Sequence, residues 1–311
     1  MPIAQNDTQQ HWLITGANGN LGRRLVKELL TASADHVRAV VRSARAAEQV
    51  ANLGLTPQQS ARLEVVTLNY TDEAALAEAA DGCSRAVHLV GILKETKTAA
   101  YRDAHELSCM TLAKVCDQST VAHITYLSIL GSTAQSSNAC LASKGAAEDI
   151  LLAAATPTCV LRVPMVLGER DYASAALLGR ARQPRSFAFR PESLEQPVYA
   201  GDVTAAIRQA AVLCHDGALD LAGPESLSRR ALLQRTAACM GSTTQVLGLP
   251  LSIGFAFAWI VQTLLANPPL TTAMLGVLDH DDDIDPAPAL HALQLSGLTA
   301  IEETVGHLLA N

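Results

Sequence analysis

Short apolar runs and amphipathic stretches alternate through the first half of this 311-residue chain. "HWLIT" (11–15), "HVRAVVR" (36–42), "RLEVVTL" (62–68), "RAVHLVG" (85–91), "AHITYLSI" (122–129) and "TCVLRVP" (158–164) have the length and β-branched content of buried strands. Between them, apolar positions fall at helical spacing. "NLGRRLVKELLTA" sets Leu21, Leu25, Val26 and Leu29 on one face. "TDEAALAEAA" (71–80) opens with Thr-Asp-Glu, which suits a helix N-terminus, and further helices are expected near 98–118 and 140–155. Strands alternating with helices predict right-handed crossovers and a parallel sheet covered on both faces, a doubly wound α/β fold.

The alternation breaks down after about residue 165. "ARQPRSFAFRPESLEQP" is an excursion rich in Pro and Arg, "AGDVTAAIRQAAVLC" is a helix with Asp202 expected at its N-cap, and "ALDLAG" is a short strand. Helices follow near 228–240 and 250–266. The expected organisation is a first domain over 10–168, completed by 196–223. Residues 169–195 and 224–311 form a small, mostly helical C-terminal lobe. "LGLPLSIGFAFAWIVQTLLA" (247–266) approaches the length of a spanning helix, but contains Pro250, Ser252, Gly254 and Gln262 and lacks flanking basic residues. It reads as a buried or lid helix, with peripheral membrane contact as the alternative.

Apolar residues make up 49% and charged ones 17%, enough for a sizeable core and too apolar for a disordered chain. The net charge of −7, with scattered basic residues, argues against nucleic acid as a partner. Seven cysteines without a CxxC pair argue against a disulfide framework or a zinc site and fit a reduced cytoplasmic compartment, at most peripheral to an inner membrane. "MPIAQNDTQQ" has no charged-then-apolar leader pattern. The acidic run "DHDDDID" (279–285) lacks the glycine and closing glutamate of a calcium loop and is expected to be a solvated loop.

"TGANGNLG" (15–22) follows the first strand and opens the first helix, the context a dinucleotide fingerprint requires. Gly16 permits the tight turn, Gly19 lets backbone approach a pyrophosphate, and Gly22 lets the helix pack on the sheet. Asn18 belongs to the turn, and Asn20, Leu21 and Gly22 bring the free N–H groups and dipole of a helix N-terminus. This is a Rossmann-type arrangement. The second strand ends in Arg42 rather than a carboxylate, with no acid before Glu48. A guanidinium suits a 2′-phosphate, so NADP is preferred over NAD.

Further segments come at set intervals: "AVHLVGILKE" (86–95), "ITYLSILGS" (124–132), "LASKGAAEDIL" (141–151), "CVLRVPMVLGERD" (159–171) and "QPVYAGDV" (196–203). Over about 10–225 these resemble the extended and atypical short-chain dehydrogenases/reductases. Within that superfamily they resemble the NmrA-like subgroup that includes the dinucleotide-binding accessory subunit of respiratory complex I and its bacterial relatives. The resemblance implies that Asn69 and Tyr70 lie near the adenine, although position 69 is usually Asp. It implies that Val90 and Gly91 border the nicotinamide ribose. Ser128 would take the place of the active-site serine or threonine, and Lys144 would bond the ribose hydroxyls. Pro164, Met165 and Val166 would line the carboxamide end.

The chain departs from the pattern at Cys140, where catalytic members carry a tyrosine four residues before the lysine. A cysteine starts from a pKa of about 8.5. Lys144 on the same helix face would lower it, but the side chain is shorter by most of a ring. Cys140 therefore reads as a small half-buried residue, a redox-sensitive thiol or a proton donor. Lys94 and Tyr101 are alternative acids, read as surface residues, while His88 and His123 read as structural. Two functions follow. One is an NAD(P)(H)-binding protein, weakly catalytic or inert, acting as a redox sensor, accessory or assembly protein. The other is a reductase for a small apolar carbonyl or quinone-like substrate. Sugar-nucleotide epimerase chemistry is disfavoured by the missing phenol.

Overall fold

The computed structural model describes residues 9–96, 98–264, 271–277 and 280–310. The N-terminal tail and parts of the 247–266 and 279–285 segments thus lie outside the described residues. The first half runs β1 (His11–Thr15), α1 (Asn20–Ala32), β2 (His36–Val41), α2 (Ala44–Ala51), α3 (Pro57–Ser60), β3 (Leu63–Thr67), α4 (Glu73–Ala80) and β4 (Arg85–His88). A π-helical turn (Arg102–Leu107) then leads into α5 (Ser108–Asp117), β5 (Ile124–Ile129), α6 (Ala139–Leu152) and β6 (Thr158–Val163). The second half runs β7 (Val166–Leu167), α7 (Tyr172–Ala181), β8 (Arg185–Phe189), β9 (Leu194–Glu195), β10 (Val198–Tyr199), α8 (Ala200–Leu213) and β11 (Gly217–Asp220). It continues with β12 (Leu227–Ser228), α9 (Arg229–Cys239), β13 (Gln245–Leu249), α10 (Leu251–Leu264), α11 (Thr272–Val277), α12 (Ala287–Ala292) and α13 (Ile301–Leu309).

The central sheet is parallel throughout, in the order β11-β6-β5-β4-β1-β2-β3. Its period-2 pattern is buried on both sides. Trp12 and Ile14 join a core with α1, α2 and α8, while Leu13 between them joins the core under α4, α5 and α6. This is the expected Rossmann-type α/β fold. The strand order reverses between β1 and β4, and the crevice beyond their C-terminal ends is where such sheets bind ligands.

The lobe has its own core, in which Leu177, Ala188, Leu232, Val246 and Ile301 are buried together. Besides its helices it contains the ribbons β8–β13 and β9–β12, and β7–β10 joins it to the sheet. The α12 residue Ala289 and nearby Leu293 instead pack into the core of α1 and α8, so the C-terminal segment crosses back to the sheet.

Three local expectations change. Asp202 lies inside the first turn of α8 rather than at its N-cap, and its carboxylate accepts from Thr299 N and Oγ1 at 2.8 and 2.9 Å. The acidic run is no free loop: Asp282 is buried, its N–H donates to Leu194 O at 3.1 Å, and Asp281 accepts from Ser193 Oγ at 2.6 Å. An extended strap is thereby pinned along β9, and its alternate carboxylates Asp281, Asp283 and Asp285 face solvent. Finally, α10 is not a buried helix, since Gly254 and Ala258 are its only buried positions among the described residues.

Candidate functional site

The glycine turn is built as its spacing requires. Gly16 has φ +73°, and a Cβ there would lie 2.9 Å from Leu89 C, so β1 and β4 meet only over a residue without a side chain. A Cβ on Gly22 would lie 2.6 Å from Gly16 O. Gly19 caps α1 with no side-chain bond, leaving the first helical amides of Asn20, Leu21 and Gly22 to an incoming anion. Asn18 and Gly19 complete the rim, and Asn20 faces Gly168, whose Cβ would lie 3.4 Å from Asn20 Nδ2. Tyr70 lies beneath the turn, its hydroxyl accepting from Gly16 N at 3.2 Å and donating to Val40 O at 3.3 Å.

Beside the turn a cavity of about 620 Å³ is lined by Asn18, Arg42, Ser43, Asn69, Tyr70 and Asp103. Arg42 is exposed, with its guanidinium 5.7 Å from the centre of the Tyr70 ring. The residues expected near an adenosine are therefore together.

The other end of the crevice gathers around Gly91. Val90 is buried, and the Ile92 N–H donates to His105 Nε2 at 3.1 Å. A Cβ on Gly91 would lie 3.1 Å from Lys144 Nζ and 3.6 Å from His105 Nε2. Lys144 is only 5% exposed, donates to Leu127 O at 3.0 Å and sits 4.5 Å from the Tyr126 ring centre. Burial lowers its pKa to about 8, against the opposing pull of Cys109, Cys140 and Glu148.

Between about pH 8 and 10.5 the folded chain thus holds its Lys144 proton less firmly than the unfolded chain does. This group alone makes stability rise with pH across that window. Buried cysteines work the other way. The expected result is therefore a difference: from pH 7.5 to 10, denaturant unfolding of the wild type should gain on the order of 2–3 kcal/mol relative to Lys144→Met.

Cys140 is fully buried, with Sγ 3.6 Å from Ile92 O, in a cluster with Tyr101, Leu141, Ile92 and Ile129. Burial raises its pKa despite nearby Lys144, so this environment disfavours the thiolate that reactivity needs. Tyr101 is not a surface residue. It is 7% exposed, packs on Cys140 and donates its hydroxyl to Leu93 O at 2.8 Å, and burial raises its pKa. A tyrosine at 140 would collide with it.

Ser128 sits on the same side of the sheet but spends its hydroxyl on the carboxylate of Glu148, with Ser132 Oγ at 3.5 Å. Glu148 is 2% exposed and accepts from Arg162 Nε at 2.8 Å and Nη2 at 2.6 Å. Cys140, Lys144 and Glu148 follow at four-residue steps on α6, one above the other on one helix face. Asn138 caps that helix, accepting from Cys140 N and Leu141 N.

Pro164, Met165 and Val166 are half-buried where β6 passes into the lobe, and Met165 O accepts from Val198 N at 2.9 Å. Lobe and helix α1 are clamped by Arg24, which reaches Glu169 and donates to Tyr199 OH at 2.9 Å. His88 is structural as expected, between Thr15 Oγ1 at 2.7 Å and Ser108 Oγ at 3.2 Å, and burial pushes its pKa down to about 3. His123 donates to His215 O at 2.8 Å.

Sequence reasoning missed two residues. Glu148 stands four residues after Lys144, and that helical spacing could have revealed it. His105 sits in the π-helical turn, with no signal in the surrounding "YRDAHEL".

No match was found among curated proteins. Solved structures share the fold. The Bordetella bronchiseptica enzyme WbmG, in complex with NAD and UDP, superposes with a TM-score of 0.73 at 15% identity, covering 99% of this chain and 95% of its own. UDP-glucuronic acid 4-epimerase from Bacillus cereus, in complex with UDP-glucuronic acid and NAD, gives 0.71 at 15% identity, over 97% and 98%. The terminal R domain of the myxalamid PKS-NRPS biosynthetic pathway gives 0.72 at 15% identity, over 97% and 90%. At such identity the likeness concerns the fold alone. The model of the NAD(P)H-binding family matches residues 16–186, more than half of the chain, starting at the glycine turn and ending inside the lobe. The chain belongs to the NAD(P)H-binding family.

Proposed function

We propose that this chain is an atypical short-chain dehydrogenase/reductase-like protein that binds NADP(H) and turns over weakly or not at all, serving as a redox-sensing, accessory or assembly protein. The observation that carries this reading is the sealed Cys140. Where a catalytic phenol would stand there is a fully buried thiol with a raised pKa, and Tyr101 fills the space beside it. The glycine turn and the amides of Asn20–Gly22 would hold the diphosphate, Arg42 the 2′-phosphate, and Lys144 the ribose hydroxyls beside Gly91. A nicotinamide dinucleotide supplies hydride when bound. This chain adds orientation and an ammonium, without the phenol that would deliver the matching proton.

The second reading is a reductase for a small apolar carbonyl or quinone-like substrate. It is favoured by Lys144 itself, a buried amine whose pKa of about 8 suits proton transfer near neutrality. NADPH oxidation with quinones and aldehydes separates the two. The first predicts weak turnover at most, and sustained turnover that vanishes in Lys144→Ala establishes the second.

Cofactor choice is tested independently by fluorescence titration. Arg42→Ala should weaken NADPH binding roughly 10- to 100-fold and leave NADH binding nearly unchanged, because only the 2′-phosphate needs the guanidinium. Equal losses for both nucleotides would remove the case for NADP.

A further inference from the structure

Helix α10 contains no charged residue, and it lies on the lobe by its narrow edge. A Cβ on Gly254 would lie 3.1 Å from the Phe189 ring, and Ala258 one turn on is the other buried position. Most of its large side chains face outward: Ile253, Phe257, Trp259, Ile260 and Leu264 are 47–76% exposed, while Leu251, Phe255 and Val261 are half-buried. The apolar surface continues onto β8 and β13. Arg185, Phe187 and Phe189 alternate onto one face of β8 while Ser186 and Ala188 are buried on the other, and Phe187 is 58% exposed. Leu247 and Leu249 of β13 stand beside Phe187 and Phe189.

This surface has a basic border. Arg185 shares the face of Phe187, Arg180 Nη2 donates to Phe187 O at 2.8 Å, and Arg182 ends α7. Among the described residues none of these three arginines forms an ion pair with a carboxylate. In a chain of net charge −7 that is a local reversal of sign.

We propose that this face, α10 with the β8–β13 ribbon, docks on an anionic phospholipid bilayer, with α10 lying in the plane of the interface. Three features select that occupant. Among the described residues the helix runs for 14 residues, about 21 Å, against roughly 30 Å of hydrocarbon, so the described helix is too short to cross a bilayer and suits its surface. Indeed no helix among the described residues is long and apolar enough to cross. Its outer face offers little directional hydrogen bonding, since Thr263 Oγ1 already donates to Ile260 O, and this suits fluid acyl chains better than a protein that must fix a register. The arginine border, unpaired among the described residues, supplies the positive charge that anionic headgroups attract. The inference does not depend on turnover. It also bears on the crevice, because Gln262 of α10 accepts from Thr272 N, and α11 brings Gly276 against Asn138, the cap of the helix that carries Lys144.

The test uses the whole protein with two vesicle preparations, phosphatidylcholine alone and phosphatidylcholine with roughly one third phosphatidylglycerol. The chain has two tryptophans, and Trp12 is only 2% exposed, so a change in emission on vesicle binding reports Trp259 at 61%. Expected are co-sedimentation with the mixed vesicles at low salt, a blue shift of emission, and loss of both in Phe257→Ser/Ile260→Ser. Arg182→Gln/Arg185→Gln should weaken partitioning roughly 30-fold. NADPH affinity, which reports the intact glycine turn, tells loss of the surface from loss of the fold in each variant. The proposal is overturned by failure to sediment with mixed vesicles or by binding with unchanged emission. It is also overturned by binding that survives the double serine variant, or by a dimeric mass in solution with Trp259 already blue-shifted.

Discussion

Alanine at Gly145 should destabilise the protein by about 3 kcal/mol and lower NADPH affinity at least roughly tenfold. By helix propensity alone the change should help, since Gly145 is interior to α6 and alanine gains up to about 1 kcal/mol there. Contact decides the sign. The new Cβ would lie 2.2 Å from Thr133 C and 2.3 Å from Ala134 N, backbone atoms that cannot rotate away. The helix must back off, carrying Lys144 out of its place beside Gly91. Gly179 in α7 is the control. It has nothing within 4 Å of its would-be Cβ, so Gly179→Ala should stabilise by about 0.5–1 kcal/mol. Equal effects at both positions, read by denaturant unfolding, would refute the packing described for α6.

Glu148→Ala should cost about 3 kcal/mol, at the lower end for a broken buried ion pair because Arg162 remains 30% exposed and can recruit water. Glu148→Gln should cost less, since it keeps an acceptor for Arg162 and Ser128. In a chain of 311 residues the alanine loss corresponds to a fall in Tm of roughly 4–6 °C. A second consequence follows from charge. Glu148 favours the ammonium of Lys144, so both variants should move the decline of NADPH affinity with rising pH to lower pH. An unchanged pH profile beside a lowered Tm would make Glu148 a purely structural residue.

The glycine turn was legible in the sequence because its geometry is local. The turn of Gly16 and the close approach at Gly22 depend on residues a few positions apart, and the strand before and helix after them are read from periodicity. Arg42 comes directly after β2 and lines the cavity beside the turn, as its place in the sequence suggests. At the Gly91 end of the crevice the lysine could be placed by spacing, but its surroundings could not. Tyr101 read as a surface residue because it follows a strand in a polar stretch. Its burial against Cys140 joins residues 39 positions apart in the chain. Ser128 was matched by position to an active-site hydroxyl, yet the partner that takes up that hydroxyl, Glu148, comes from another element.

The sequence by itself determined the layered fold. Period-2 runs buried on both faces, separated by helical patterns, admit few other arrangements, and a glycine triplet at the first crossover marks the ligand crevice. Only the tertiary structure decided what stands at Gly91, how the acidic strap is held along β9, and that α10 turns its apolar side chains outward. Periodicity reports that a residue is apolar and which face of its element it shares. Whether that face meets protein or solvent depends on neighbours brought from distant parts of the chain.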